Sequence, residues 1–364
     1  MVQRQHAVAS WTDEDREAQT GLPALIRGLL RPEAYPHPAD DLQLHETHIS
    51  WVILAGPFAY KIRKPVNLGF VDFSGLAARA EDCHREVRLN RRLCPDVYLG
   101  VVQIVERDGH YALGDAGQPD GLFGPETPVE PVVWMRRLPA DGMLPAMLAR
   151  DAVTPELVRE IARQLAAFHP QAATGPGVNE YGSLDTIRGN WDENFSQTEP
   201  CIGRTISQSM FDRIKTFVER FQEEQRPLLE RRIAEGRIRE GHGDLHAGSI
   251  CVEGDRVHLF DCLEFTPRFR CADVAAEVAF LAMDLDRYQR PDLSRAFVEE
   301  YVQRSEDTEL LTLLDFYRCY RAYVRGKVAS LRLNQPGLSP EERATTEDEA
   351  RSYFEMAGRY ADHS

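Results

Sequence analysis

The sequence has no CxxC pair, and its seven cysteines, odd in number, are scattered at 83, 94, 201, 251, 262, 271 and 319. Neither a disulfide framework nor a zinc ribbon is suggested, so reduced, mostly buried thiols are expected. Long apolar runs are also missing. The longest charge-free one, Trp51 to Tyr60, is interrupted by Gly56 and Pro57 and reaches about half of the roughly 20 residues that cross a bilayer. No membrane span is expected. Met1 to Asp15 has no apolar core of secretory length and turns acidic at Asp13, Glu14 and Asp15, which reads as a cytoplasmic protein. Positive charge is in deficit, with 43 Lys and Arg against 58 Asp and Glu for a net charge of −15. Such a surface repels a phosphate backbone and argues against nucleic-acid partners.

What is present is ordinary globular composition, 43% hydrophobic and 28% charged. The 364 residues exceed the size at which a single core stops growing, so two lobes are expected. A short helix, Leu22 to Arg31, is stopped by Pro32, Pro36 and Pro38, and residues 1–44 read as an N-terminal extension. Thr47 to Arg63 is β-branched, aromatic and apolar, broken at Gly56-Pro57, which predicts two antiparallel strands. Leu76 to Leu93 has helical spacing and stops at Pro95. Val101 to Val105 and His110 to Leu113 flank the turn signal Asp108-Gly109, and Val132 to Leu138 follows a Gly/Pro-rich loop from Gly114 to Pro131. Residues 45–138 therefore read as a small antiparallel sheet with one helix. Residues 139–364 read as helical, with Pro155 to Phe168, Met210 to Ala234, Val274 to Leu285, Leu293 to Val302 and Leu310 to Leu333 in helices. One short hairpin, Ile250 to Val252 and Val257 to Phe260 around Gly254-Asp255, is expected to interrupt them. A strand-rich lobe before a helix-rich one suits a ligand cleft where the two meet.

The sharpest chemical feature is Gly241-His242-Gly243-Asp244-Leu245-His246-Ala247-Gly248-Ser249-Ile250, followed by the strand Val257-His258-Leu259-Phe260 and Asp261. Two acids thus bracket a hairpin. Asp244, in a loop, would accept a proton from a substrate hydroxyl, and Asp261, at a strand end, would bind magnesium, the arrangement phosphoryl transfer needs. Lys61, in a strand of the small lobe, is the candidate cation for nucleotide phosphates, and Glu86 on the following helix is its candidate partner ahead of Glu81. Lys61 and Arg63 share a strand face, which leaves the choice between those two cations open. His242, Asp244 and His246 would also suit a hydrolytic metal site or a solvated turn.

The HGDLH loop resembles that of the aminoglycoside phosphotransferase family, within the protein-kinase-like fold. THISWVILAGPFAYKIRKPVNLGFVDFS, CHREVRLNRRL, YLGVVQIV, LFDCLEF, DVAAEVAFLAMDLD and CYRAYVRGKV resemble an uncharacterised bacterial group of that family, over roughly Thr47 to Leu333. Some members of the group continue into a second domain with a phosphate-binding loop, whereas this chain contains no GxxxxGK[ST]. The resemblance implies an α+β, two-lobed fold and ATP- and Mg2+-dependent transfer of the γ-phosphoryl group to a hydroxyl of a small molecule. It implies Asp244 as catalytic base, Asp261 as main magnesium ligand, Lys61 on the phosphates and Glu86 as its ion-pair partner. Val133 to Pro139 resembles the family hinge, which implies adenine contacts from Met135 to Arg137. Asp273 or Glu277 is expected to brace the catalytic loop.

Two departures stand out. The family has Asn five positions after the catalytic Asp, where its amide oxygen helps hold metal, and this sequence has Ser249. Ser249 is the candidate second metal position, directly or through water. A glycine-rich turn is replaced by Glu46-Thr47-His48-Ile49-Ser50-Trp51, in which Thr47, His48 and Ser50 could offer N–H and hydroxyl donors to phosphate. The rival reading that these departures motivate is a nucleotide-binding pseudokinase that regulates a protein partner. Tyr320, Arg321, Tyr323, Arg325 and Lys327 mix aromatics with cations at helical spacing, which suits an acceptor pocket, including one for an anion, or ordinary helix packing.

Overall fold

Strand alternation decides which side chains of the first third of the chain reach chemistry and which reach the core. The computed structural model describes residues 4–7, 21–69, 71–114, 127–335 and 337–362. The N-terminal stretch Met1 to Asp15, apart from 4–7, and residues 115–126 of the Gly/Pro-rich loop lie outside the described residues. The chain divides into two units, Met1–Gly142 with His258–Thr266, and Met143–Val257 with Pro267–Ser364.

The first unit is built on a seven-stranded sheet. Its strands are β1 (Arg4–Ala7), β2 (Leu42–Glu46), β3 (Ser50–Ala55), β4 (Phe58–Arg63), β5 (Tyr98–Arg107), β6 (His110–Leu113) and β7 (Thr127–Arg136). Their order is β1-β2-β3-β4-β7-β5-β6, with every pairing antiparallel. On one face, α1 (Ala24–Leu29) buries Ile26 and Leu29 with Tyr35, Leu44, Ile53, Tyr60, Ile62, Ile104 and Val132. Residues read as an extension therefore supply core and a strand. On the other face, α2 (Leu76–Asn90) packs Cys83 and Val87 against Ala59, Tyr98, Val101, Val133 and Met135. The period of two along β4 sends Tyr60 and Ile62 to the α1 face and Ala59, Lys61 and Arg63 to the α2 face.

Both hairpin signals sit where left-handed backbone is required. Asp108 and Gly109 have φ of 49° and 77°, the sign pattern of a type I′ turn. Gly56 has φ of 53°, and a Cβ there would lie 2.4 Å from the Pro38 carbonyl oxygen. The last strand differs from its expected span, starting at Thr127 despite Pro128 and Pro131. β4 pairs with β7 only as far as Val132, so both prolines lie where β7 has β5 as its one sheet neighbour and a missing N–H is tolerated.

The second unit is mainly helical. It contains α3 (Leu144–Ala149), α4 (Pro155–Phe168), α5 (Pro176–Asn179), α6 (Leu184–Thr198), α7 (Gln208–Glu224) and α8 (Arg226–Ala234). Further along follow α9 (Pro267–Arg270), α10 (Val274–Arg287), α11 (Pro291–Ser305), α12 (Leu310–Arg332) and α13 (Pro340–Asp362). Met210 to Ala234 is two helices rather than one, because Pro227 lacks the N–H that would continue α7. The expected hairpin is present as β9 (Ile250–Glu253) and β10 (Arg256–Leu259), and β8 (Ile238–Glu240) with β11 (Cys271–Asp273) adds a second strand pair. Nearly all of α10 is buried, from Val274 through Leu285, so it forms the unit's central post. All seven cysteines are buried thiols outside any disulfide. Among the described residues, no helix is long and apolar enough to cross a membrane.

Candidate active site

In the first unit, the β4 face directed at α2 carries the two cations left open by the sequence. Lys61 Nζ donates to Glu86 Oε1 at 2.9 Å and to Asp261 Oδ1 at 2.8 Å. Arg63 takes the other Glu86 oxygen, and also bonds Asp82 Oδ2 at 2.7 Å, Ser50 Oγ at 2.9 Å and Glu264. Glu81 is elsewhere, paired with Arg85 one turn along the helix. Glu86 is 0% exposed and the Asp261 side chain 39% exposed, so the ion pair runs from the core to an accessible carboxylate. Burial works against the charge on Lys61, but Asp261 and Glu86 outweigh it and raise its pKa.

Asp261 has a left-handed φ of 63°, a conformation that a non-glycine residue holds only when its surroundings fix it. They do so here. The Asp261 N–H donates to the buried Tyr98 hydroxyl at 3.1 Å, and the next N–H, of Cys262, to Asn90 Oδ1 at 2.8 Å. Asn90 in turn donates to the Glu86 carbonyl at 3.0 Å, so α2 positions both ends of the Lys61 bridge.

The remaining nucleotide candidates lie in this unit too. The Ser50 hydroxyl is buried and accepts from Arg63, and its N–H donates to Thr47 Oγ1 at 2.9 Å, so the first serves the Arg63 cluster and the second the β2–β3 turn. Met135 is buried in β7 opposite Ala59 and Tyr98. The Arg136 and Arg137 N–H groups bond the Val97 and Pro57 carbonyls at 2.8 and 2.9 Å, and the Arg137 side chain meets Asp41 at 3.0 Å.

In the second unit, the HGDLH segment is a loop closed on itself. Ser249 Oγ accepts the His246 N–H at 3.1 Å and lies 2.8 and 3.1 Å from the His246 and Asp244 carbonyl oxygens. At 3% exposure, this hydroxyl braces the loop from inside. His246 Nδ1 accepts the Gly248 N–H at 3.0 Å, so the neutral ring carries its proton on Nε2, 3.6 Å from Asp244 Oδ2. Two acids of α10 hold the loop from below. Glu277 Oε2 accepts the His242 and Gly243 N–H groups at 2.7 and 3.2 Å, and Asp284 Oδ2 accepts that of Ala247 at 2.8 Å. Burial would raise the Glu277 carboxyl, but His169, His242 and the Gly243 N–H pull it down to about 2. Asp273 instead caps α10 and pairs with Arg232 at 2.6 and 2.7 Å.

The Asp244 side chain is 25% exposed. Burial pushes its carboxyl up, but His246, Arg325 and Arg321 outweigh that and hold it well below the usual carboxylate range. Arg321, on α12, also donates to the Gly243 carbonyl at 3.2 Å and lies 4.6 Å over the Phe280 ring. Asn90, Tyr98, Asp284 and His169 are not legible in the sequence as site residues, because each acts through hydrogen bonds to segments distant in the chain.

One unit thus holds a bridged lysine and a partly exposed carboxylate, and the other an ionised aspartate on a rigid loop. A family model described as the phosphotransferase enzyme family matches residues 71–317. The chain belongs to that family. Uncharacterized proteins of Mycobacterium tuberculosis (strain ATCC 25618 / H37Rv) and Mycobacterium bovis (strain ATCC BAA-935 / AF2122/97) are 35% identical to it over 302 residues, 82% of this chain. The chain spans 57% of the length of these curated relatives. Among solved structures, it is similar to a choline/ethanolamine kinase family protein from Mesorhizobium loti, with 12% identity, a TM-score of 0.49 and coverage of 97% and 99% of the two chains. The GDP complex of an aminoglycoside 2'-phosphotransferase-IIIa matches with 12% identity and a TM-score of 0.49, covering 85% of this chain and 90% of that one.

Proposed function

We propose that the protein transfers the γ-phosphoryl group of ATP, with Mg2+, to a hydroxyl of a small molecule. The observation that carries this reading is the Lys61 ammonium held jointly by Glu86 and Asp261. A lysine so fixed presents a point charge to nucleotide phosphates without the entropy cost of a free side chain. Asp261 is the candidate magnesium ligand, since a partly exposed carboxylate is a hard oxygen donor that suits this cation. The ion, when bound, neutralises charge that develops on the phosphates. Asp244 orients the acceptor hydroxyl and takes its proton as the new O–P bond forms, and its depressed pKa keeps it ionised at cellular pH. Met135 to Arg137 remain the proposed adenine edge. Ser249 enters this scheme through the loop it closes around Asp244.

Acceptor-dependent loss of γ-phosphate from ATP, measured with Mg2+ for wild type and Asp244→Asn, tests the proposal. The expected result is a fall in kcat of about 10²- to 10⁴-fold with the fold retained by circular dichroism. Equal rates in the two proteins would overturn it.

A further inference from the structure

Buried arginines in this chain follow a rule. Arg63, Arg79, Arg232 and Arg270 are buried, and each is matched by a carboxylate, from Asp82, Glu130, Asp273 and Glu240 respectively. A guanidinium removed from water otherwise loses hydration without compensation. Half-buried arginines follow the rule less strictly, as Arg239, Arg332 and Arg343 show among the described residues, and two of them on α12 lie beside the Asp244 loop. Among the described residues, neither Arg321 nor Arg325 has a carboxylate in ion-pair contact, although the chain has 58 acids to draw on.

Their other contacts separate the two. Arg321 is engaged by the Gly243 carbonyl at 3.2 Å, the Ala276 carbonyl at 3.3 Å and the Phe280 ring face at 4.6 Å, so it braces the catalytic loop. Arg325 has one long bond, from Nε to the Tyr353 hydroxyl at 3.4 Å, and stacks 5.6 Å from that ring's centre. Among the described residues, its two Nη groups have no hydrogen-bond partner. Arg325 is one helical turn from Arg321, hence on the same face of α12 that reaches the residue before Asp244. Both cations contribute to the ionised state of Asp244. The nearby Arg287 is already answered by Glu349 at 3.3 Å.

We propose that the hydroxyl acceptor carries an anionic group, a carboxylate or a phosphate, and that the Nη edge of Arg325 binds it. The planar fork of a guanidinium matches two oxygens of either group, and the anion would occupy the Nη positions that Asp244 and Asp284, which act on Arg325 only through space, leave open. A cationic acceptor would meet two guanidinium groups beside the aspartate that must receive its hydroxyl. This inference rests on the phosphotransferase reading of Asp244 and deepens it by naming a substrate class.

Calorimetric binding to the nucleotide-free chain, without any transfer step, tests the inference. The probes are glucuronate, glucose 6-phosphate, glucose and glucosamine, which vary charge on one ring skeleton. At least one anion is expected to bind tenfold or more tightly than glucose or glucosamine, and the two anions tell carboxylate from phosphate. Arg325→Gln should weaken that anion about 10- to 100-fold, the value of a charge-assisted bidentate contact, and Arg325→Lys should recover part of the loss. Glucosamine or glucose binding as tightly as the anions, no binding of either anion, or an Arg325→Gln protein that melts like wild type and binds the anion equally well would each overturn the proposal. Because no ATP is present, these outcomes are read apart from the Asp244→Asn transfer assay, whose failure would instead remove the phosphotransferase reading.

Discussion

Lys61 and Arg63 are two cations set among four acids, Asp82, Glu86, Asp261 and Glu264. Three of those acids are buried, and a low-dielectric site does not keep that surplus of negative charge fully ionised. Burial raises Glu264 to about 7, with Arg63 opposing and Glu86 adding to the rise, and burial raises Asp82 as well. A carboxyl whose folded pKa is raised binds its proton more tightly in the native state. Its contribution is fully present below the unfolded value of 4.5 and is lost as pH climbs through about 7. Urea midpoints measured across that window should therefore fall with rising pH in wild type and fall less in Glu264→Gln. Parallel curves for the two proteins would mean that the proton resides elsewhere. Glu277 acts in the opposite sense, since a carboxyl drawn down to about 2 stabilises above its unfolded value and loses that effect only in strong acid.

At the scale of elements, the turn Ala247–Ser249 is the part of the HGDLH loop most dependent on one side chain. Ser249→Ala leaves the His246 N–H without its acceptor and the Asp244 carbonyl without the hydroxyl donor in a buried setting, while the His246 carbonyl keeps the residue 249 N–H, at a cost of about 1–3 kcal/mol. Chemical denaturation should show that loss, and a stability equal to wild type would mean that solvent replaces the hydroxyl. This loop is legible in the sequence as a motif, but its mechanical dependence on Ser249 is not, because a serine at the family's asparagine position reads as a weaker metal donor. Strong periodicity made α4, α10 and α12 readable, as did the turn at Asp108-Gly109. The helices α6 and α13 are not legible in this way. In α6, polar residues such as Asp185, Arg188, Asn190, Asp192 and Glu193 dilute the apolar stripe of Ile187, Trp191 and Phe195. In α13, the first turns are charged, and the stripe begins only at Ala350, continuing through Tyr353, Phe354, Ala357 and Tyr360. Pro340 at its first position was the available signal. For the site, Lys61, Glu86 and Asp261 were legible as types in strand, helix and strand end, whereas Asn90 and Tyr98, which fix Asp261, announce themselves only through tertiary contact.

Across the whole molecule, the first unit is discontinuous. Residues 258–266 belong to it, though the chain has by then traversed much of the second unit. That short return supplies Asp261 to Lys61, Glu264 to Arg63, and the two N–H groups that Tyr98 and Asn90 accept. A fragment ending at Gly142 lacks all four interactions. Its Tm should lie below that of the same fragment carrying residues 258–266 on a flexible Gly/Ser linker, and equal melting by differential scanning calorimetry would show that the return contributes nothing to stability.

The same discontinuity sets a schedule for biosynthesis. Roughly 115 residues separate Gly142 from His258, so at about 5–20 residues per second a ribosome takes on the order of ten seconds to deliver the missing strand end. During that interval the nascent first unit has its sheet and α2 but neither the counter-charge of Glu264 nor the candidate metal ligand. The Lys61–Asp261 pair proposed to hold nucleotide therefore cannot be complete until translation has passed Thr266, by which point the HGDLH loop has already left the ribosome's decoding centre.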